Sequence, residues 1–296
     1  MRKKIFVLIV LVVFLVVITG CQKKKQAENY SPPEAIRPTH ASIFISKNDF
    51  YDLLAKRESS NSQVEGRVVS GIVPHHLLAS NMIIDFFNVL AKQKPSLVIL
   101  IGPNHYQKGN RISSSLYDWQ TPAGVVQVNQ DICQDLISQG IVAKDEPLLA
   151  EEHSVGALMP FIKYFIPEAK VVPIIIQHGA TLQEVDELLD AIEPYLDEDA
   201  VLLASVDFSH YLTRSEAQLK DQITLQAMEK FDYTALFKMG DDHLDSPASL
   251  ACSFRWAERR GIKKFHLLDN TNSGIIMRNE VMETTSYFTL VFTEQE

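Results

Sequence analysis

Along most of this chain, short apolar runs alternate with segments of helical periodicity. The runs at 67–73, 97–101, 170–176 and 201–205 are nearly continuous in Val, Ile, Leu and Ala, the mark of strands buried on both faces. Two further strands are predicted at 264–268 and 286–292, and a β ribbon before residue 128. Helical spacing is read over 42–56, 77–92, 130–138, from the loop at 151–153 through 165, and over 182–196, 215–239 and 247–260. This alternation predicts an α/β fold with a largely parallel or mixed sheet and helices on both faces. No Pro-, Gly- or Ser-rich linker and no repeat of solenoid period divides the body. A single domain is therefore expected over 40–296.

The N-terminal segment breaks the pattern. Arg2, Lys3 and Lys4 precede an unbroken apolar run over 5–18, followed by Thr19-Gly20-Cys21. The order of charge and apolar run is that of a secretory leader, and the run is shorter than the ~20 residues of a spanning helix. Ile18-Thr19-Gly20-Cys21 resembles a bacterial lipobox. The expectation is a lipoprotein signal over 1–20, lipid on Cys21, and an extracytoplasmic, membrane-anchored mature chain. Residues 21–39, polar and carrying Pro32, Pro33 and Pro38, read as a flexible tether. Lys23, Lys24 and Lys25 suit an anionic membrane surface. The net charge of −9, with no basic stripe in the body, argues against nucleic acid as a partner.

Candidate chemistry gathers at strand ends. Pro74-His75-His76 follows the strand at 67–73, and Gly102-Pro103-Asn104-His105 follows that at 97–101. Asp207-Phe208-Ser209-His210 follows that at 201–205. Ligands of open α/β sheets collect outside the carboxyl ends of the strands. Imidazole is the commonest metal-binding side chain, so these loops form a candidate metal site. Each histidine reads equally as a strand cap, and Asp207 as a helix cap. Glu151-Glu152-His153-Ser154 opens a helix, where acids suit the macrodipole as well as a function. Cys133 and Cys252 both sit in apolar helical segments and read as small buried hydrophobes. His40, His178, His243 and His266 have no motif around them. Phosphate-binding loops and nucleophile elbows are missing from the sequence.

Together these segments resemble the Memo family, also described in bacteria as AmmeMemoRadiSam system protein B. Its motifs are matched by Pro74-His75, by Gly102-Pro103-Asn104-His105 and by Trp119-Gln120-Thr121-Pro122. Glu152-His153-Ser154 with Pro160, Ser205-Val206-Asp207-Phe208-Ser209-His210, Cys252 and Ser286-Tyr287 complete the series. The resemblance runs from about Arg67 to Phe292. It implies the fold of class III extradiol dioxygenases and a metal held by His75, His105 and Cys252. His153, Asp207 and His210 would then line the pocket as candidate catalytic groups. The chain departs from the family where Ala-Gly-Tyr usually follows Pro-His, here His76-Leu77-Leu78. It departs again after Cys252, where Ser253-Phe254-Arg255-Trp256 replaces a Gly- and Pro-bearing turn.

Three functions are compatible with this reading. The first is a lipid-anchored protein with a mononuclear iron or copper site that binds the metal or carries out redox chemistry with it. The second is a dioxygenase-like enzyme for a small phenolic substrate, with His153 or His210 as acid and base. The third is a protein-binding module with a vestigial pocket.

Overall fold

The computed structural model describes residues 37–57 and 63–295. The leader, Cys21 and most of the tether lie outside them. Eleven strands lie among the described residues. They are β1 (Thr39–His40), β2 (Arg67–Val73), β3 (Leu97–Asn104), β4 (Ile112–Ser114), β5 (Asp118–Thr121), β6 (Gly124–Val126), β7 (Ala143–Lys144), β8 (Lys170–Gln177), β9 (Ala200–Ser205), β10 (His266–Asn272) and β11 (Ser286–Glu294). Eight of them form the main sheet in the order β10-β11-β2-β9-β3-β8-β4-β7, while β1, β5 and β6 form a small second sheet. The central strands β2, β9, β3 and β8 are parallel. β11 and β10 on one side and β4 on the other pair antiparallel. The sheet is thus mixed, with a parallel heart.

Helices cover both faces, as two successive residues of β2 show. Side chains alternate along a strand. Ser70 donates to the Ser253 carbonyl at 3.0 Å, in the helix Pro247–Arg259. On the other face, a Cβ on Gly71 would lie 2.9 Å from the Phe86 ring, in the helix Ser80–Ala91. Among the described residues, no helix is long and apolar enough to cross a membrane.

Several boundaries differ from the sequence reading for local reasons. β3 runs past Ile101 because β8 pairs with it as far as Asn104. Pro103 falls after the pairing with β9 has ended, where a missing N–H is tolerated. The helical stretch expected over 215–239 is broken into Arg214–Glu229 and Tyr233–Leu236, with Phe231 between them at φ 52°. The first helix starts only at Lys47, where the Ser46 hydroxyl accepts the Asp49 N–H at 3.1 Å. Ahead of it, residues 37–39, read as tether from sequence, join the body. Arg37 pairs with the buried Asp118 carboxylate at 2.8 Å, and β1 lies parallel to β5. The parallel, adjacent strands β2, β9 and β3 bring their carboxyl ends side by side.

Candidate metal centre

His75 leaves the end of β2 and is 2% exposed. Its environment fixes its tautomer. Ser205, the last residue of β9, donates its hydroxyl proton to the Ser154 carbonyl at 2.5 Å. The Ser205 oxygen therefore accepts from His75 Nδ1, 3.0 Å away, which leaves a lone pair on Nε2. His105, just beyond β3, places Nδ1 2.8 Å from Glu152 Oε1. A carboxylate only accepts, so Nδ1 carries a proton and Nε2 faces outward, able to bind a cation once its own proton is lost. Glu152 is fully buried and is itself held by the N–H groups of His105 and Ser154 at 2.8 and 2.9 Å. A buried carboxylate behind an imidazole is the usual support of a metal-binding histidine.

The two Nε2 atoms converge on an acid that sequence reasoning missed. Asp245 Oδ2 lies 3.4 Å from His75 Nε2 and 3.7 Å from His105 Nε2. Asp207 Oδ2 is 3.6 Å from His75 Nε2. Ligand atoms bound to one ion at ~2.0–2.1 Å stand about 3–3.5 Å apart, so the spacing suits a shared cation. Asp245 Oδ1 is buried without a hydrogen-bond partner. Lone pairs and carboxylate oxygens that face one another in a buried place need a proton or a cation between them.

Asp245 owes its position to two constraints. Ser246 caps the helix Pro247–Arg259, its hydroxyl accepting the Ser249 N–H at 3.1 Å, with proline at the first helical turn. Asp245 thus stands just outside the helix. Its backbone N–H donates to the Asp207 carbonyl at 3.1 Å, and the Asp207 N–H returns to Asp245 Oδ2 at 3.2 Å. The loop after β9 and the loop before the helix are clamped together. Asp207 Oδ1 in turn accepts the His75 N–H at 3.1 Å.

His153 opens the short helix His153–Gly156, which is seated on β3. Ser154 donates to the Pro103 carbonyl at 2.7 Å, and a Cβ on Gly102 would come 2.7 Å from the Ser154 Oγ. The His153 ring stacks on His105 at 4.2 Å and meets His75 nearly edge-on at 5.2 Å. Ligand atoms of His75, His105 and His153 all lie within 4.8 Å of one another. The three rings form the floor of a cavity of about 480 Å³, whose walls include Phe44, His76, Leu77, His210 and Tyr211.

The electrostatics are those of a crowded, dry site. Burial, joined by the surrounding imidazoles, pushes His75 well below its ordinary value. Burial raises Asp207 well above the usual carboxylate range, and the charge of Asp245 adds to the rise. Burial lowers His105 too, but hydrogen bonds and charge from Asp245 and Glu152 outweigh it and raise it to about 10. A cation binding here must displace that proton.

Cys252, the cysteine that the family motifs pointed to, stands apart from this cluster. It lies seven residues beyond Asp245, about 10 Å along the helix. Its neighbour Ser253 packs on Ser70, which precedes His75 by five residues, about 16 Å of strand. The thiol is buried in the apolar core, and burial raises its pKa, away from the thiolate that a ligand must be. Only the first residues of this helix reach the strand ends; its apolar middle packs against the centre of the sheet. Cys133 is likewise buried, with Ser114 Oγ 3.7 Å from its sulfur. Glu152 was visible as part of a motif but had no role, and Asp245 was hidden in a polar turn. The one local sign of Asp245 was its place before Ser246-Pro247, a helix start.

A family model described as Memo-like protein matches residues 46–291. A MEMO1 family protein of Saccharolobus solfataricus is 30% identical over 71% of this chain and 74% of its own length. One from Aeropyrum pernix is 31% identical over the same shares. One from Metallosphaera sedula is 30% identical over 58% of this chain and 64% of that protein. Among solved structures, an uncharacterized protein of Escherichia coli K12 shares the fold at a TM-score of 0.52 and 11% identity, over 76% of this chain and 99% of its own. The family model spans most of the body, and relatives of 30% identity cover most of the chain: this chain belongs to the Memo-like family.

Proposed function

We propose that this protein is a lipid-anchored metalloprotein that holds one redox-active divalent cation between His75, His105 and Asp245. The observation that carries this reading is the approach of Asp245 Oδ2 to both Nε2 atoms, at 3.4 and 3.7 Å. Two imidazoles and one carboxylate with open positions are the donor set of non-haem Fe(II) sites, whereas thiolate would favour copper or zinc. With Cys252 apart from the cluster, iron is the preferred metal. Such a cation supplies Lewis-acid and redox chemistry toward a phenolic ligand. The protein's own groups have distinct tasks. Glu152 and Ser205 fix the ligand tautomers, Asp207 holds the His75 loop, and Phe44 and Leu77 exclude water. His153, on the cavity lining and stacked on His105, is placed to take or return a proton at a ligand hydroxyl.

Elemental analysis of protein purified without chelator tests this. We expect one iron per chain, lost on Asp245→Ala, and oxygen uptake with catechols. A folded protein that retains no metal under any loading condition overturns it. A second reading makes His153 the third ligand, favoured by the mutual approach of the three imidazoles. It suits copper, and would show as metal lost in His153→Ala but kept in Asp245→Ala. Lipid anchoring rests on Ile18-Thr19-Gly20-Cys21. Cys21→Ala should abolish labelling by palmitate, and unchanged labelling would defeat the anchor.

A further inference from the structure

Five imidazoles border the cavity, but the acids are shared unequally. His75 faces Asp207 and Asp245, His105 faces Glu152 and Asp245, and His153 faces Glu152. His76 and His210, on the same cavity, have no acid within ion-pair distance among the described residues. His76 is not free to turn. Its Nδ1 lies 2.6 Å from the hydroxyl of the fully buried Tyr287. The rest of the His76 ring is exposed to the cavity. His210 is anchored by its backbone N–H on the Asp241 carbonyl at 2.8 Å, and its Nδ1 is buried with no partner. The cavity lining contains no lysine or arginine.

We propose that His76 and His210 form a subsite for a carboxylate carried by the ligand of this cavity. The ligand is then a small aromatic acid, seated with its ring against Phe44 and Leu77 and its acidic group on the two imidazoles. This deepens the metal reading and rests on it for the identity of the cavity. His76 is a specificity-determining residue here, its ring held by the Tyr287 phenol at Nδ1 so that Nε2 donates to the carboxylate.

Binding of benzoate and of benzyl alcohol to the full-length protein in detergent, by equilibrium dialysis, tests the subsite. It is measured as purified and again after chelator treatment. Benzoate should bind in both states and more tightly than the alcohol. His76→Ala should weaken benzoate about tenfold, the loss of one charge-assisted hydrogen bond, and leave benzyl alcohol unchanged. His76→Gln, which keeps an N–H donor, should restore most of the affinity, and metal content should stay at the wild-type level in both variants. Equal benzoate affinity in wild type and His76→Ala overturns the proposal. So does benzoate binding that disappears with the metal, since the carboxylate would then sit on the cation. If the protein proves metal-free while benzoate binding depends on His76, the metal reading fails and the subsite stands.

Discussion

Two buried clusters in this molecule contain histidine, serine and glutamate, and only one has the look of a site. In the first, His40 Nε2 lies 2.7 Å from Ser115 Oγ, and Ser115 donates to Glu146. Glu146 also accepts the Leu116 N–H at 3.0 Å, and Ser115 the Tyr117 N–H at 2.9 Å. Each of these contacts pairs a donor with an acceptor. The cluster fastens β1 to the body, with His40 packed 4.2 Å from the Trp119 ring. At the strand ends, the same residue types leave the His75 Nε2 lone pair facing the Asp207 and Asp245 carboxylates, with Asp245 Oδ1 unpartnered. Buried histidine and acid therefore do not mark a metal centre by themselves. What marks it is valence that the protein's own hydrogens do not meet.

The comparison predicts opposite responses. Asp245→Ala should lower metal affinity by more than about 100-fold, beyond the ~10–100-fold typical of outer partners, while the protein stays folded. Inductively coupled plasma analysis against a circular dichroism melt would read both, and a variant that keeps its metal would erase the distinction between the clusters. Glu152→Gln should cost about 10–100-fold in metal affinity, because it supports His105 without touching the cation. His40→Ala should do the reverse, leaving metal content intact and lowering stability by about 1–3 kcal/mol in urea melts, as Ser115 and Glu146 lose a partner.

The same cluster has a pH signature. Burial lowers the His40 pKa, against the opposing pull of Glu146. A group lowered on folding contributes stability above its unfolded value of 6.5 that is lost as pH falls through its folded value. Wild type should therefore lose more stability than His40→Gln on acidification below about pH 6.5, at the unperturbed histidine value. Parallel curves for the two proteins would show that His40 is not the group responsible. The smallest effect belongs to Cys252→Ser. It should leave metal content unchanged and cost about 1–3 kcal/mol for burying a hydroxyl in the core.

The parts of the site that were legible in the sequence follow from strand patterning. Continuous apolar runs announce β2, β3 and β9, and the residues that end them, His75, His105 and Asp207, come out on one edge of the sheet. His153 was legible through its motif, because the helix start that carries it packs locally on β3. Asp245 was not, since Asp241-Asp242-His243-Leu244-Asp245 reads as a solvated turn. It is recruited by a bridge between Phe208 and Leu244 and by the backbone exchange with Asp207, which are contacts between distant segments. Cys252 misled for the opposite reason. Its residue type fitted the family motif, but position along a helix decides what a side chain can reach, and two turns carry it into the core.

The clamp between the loops of Asp207 and Asp245 also bears on how the protein matures. His75 and Asp207 are 132 residues apart in the chain, His105 and Glu152 47, and Asp207 and Asp245 38. In the unfolded chain His75, His105 and Asp245 are scattered, so the set that would hold the cation does not exist there. Their meeting requires the parallel strands to be paired first, which is the slow, entropy-limited part of folding such a topology. Metal loading would come last, on a finished scaffold, and would slow unfolding more than it speeds folding.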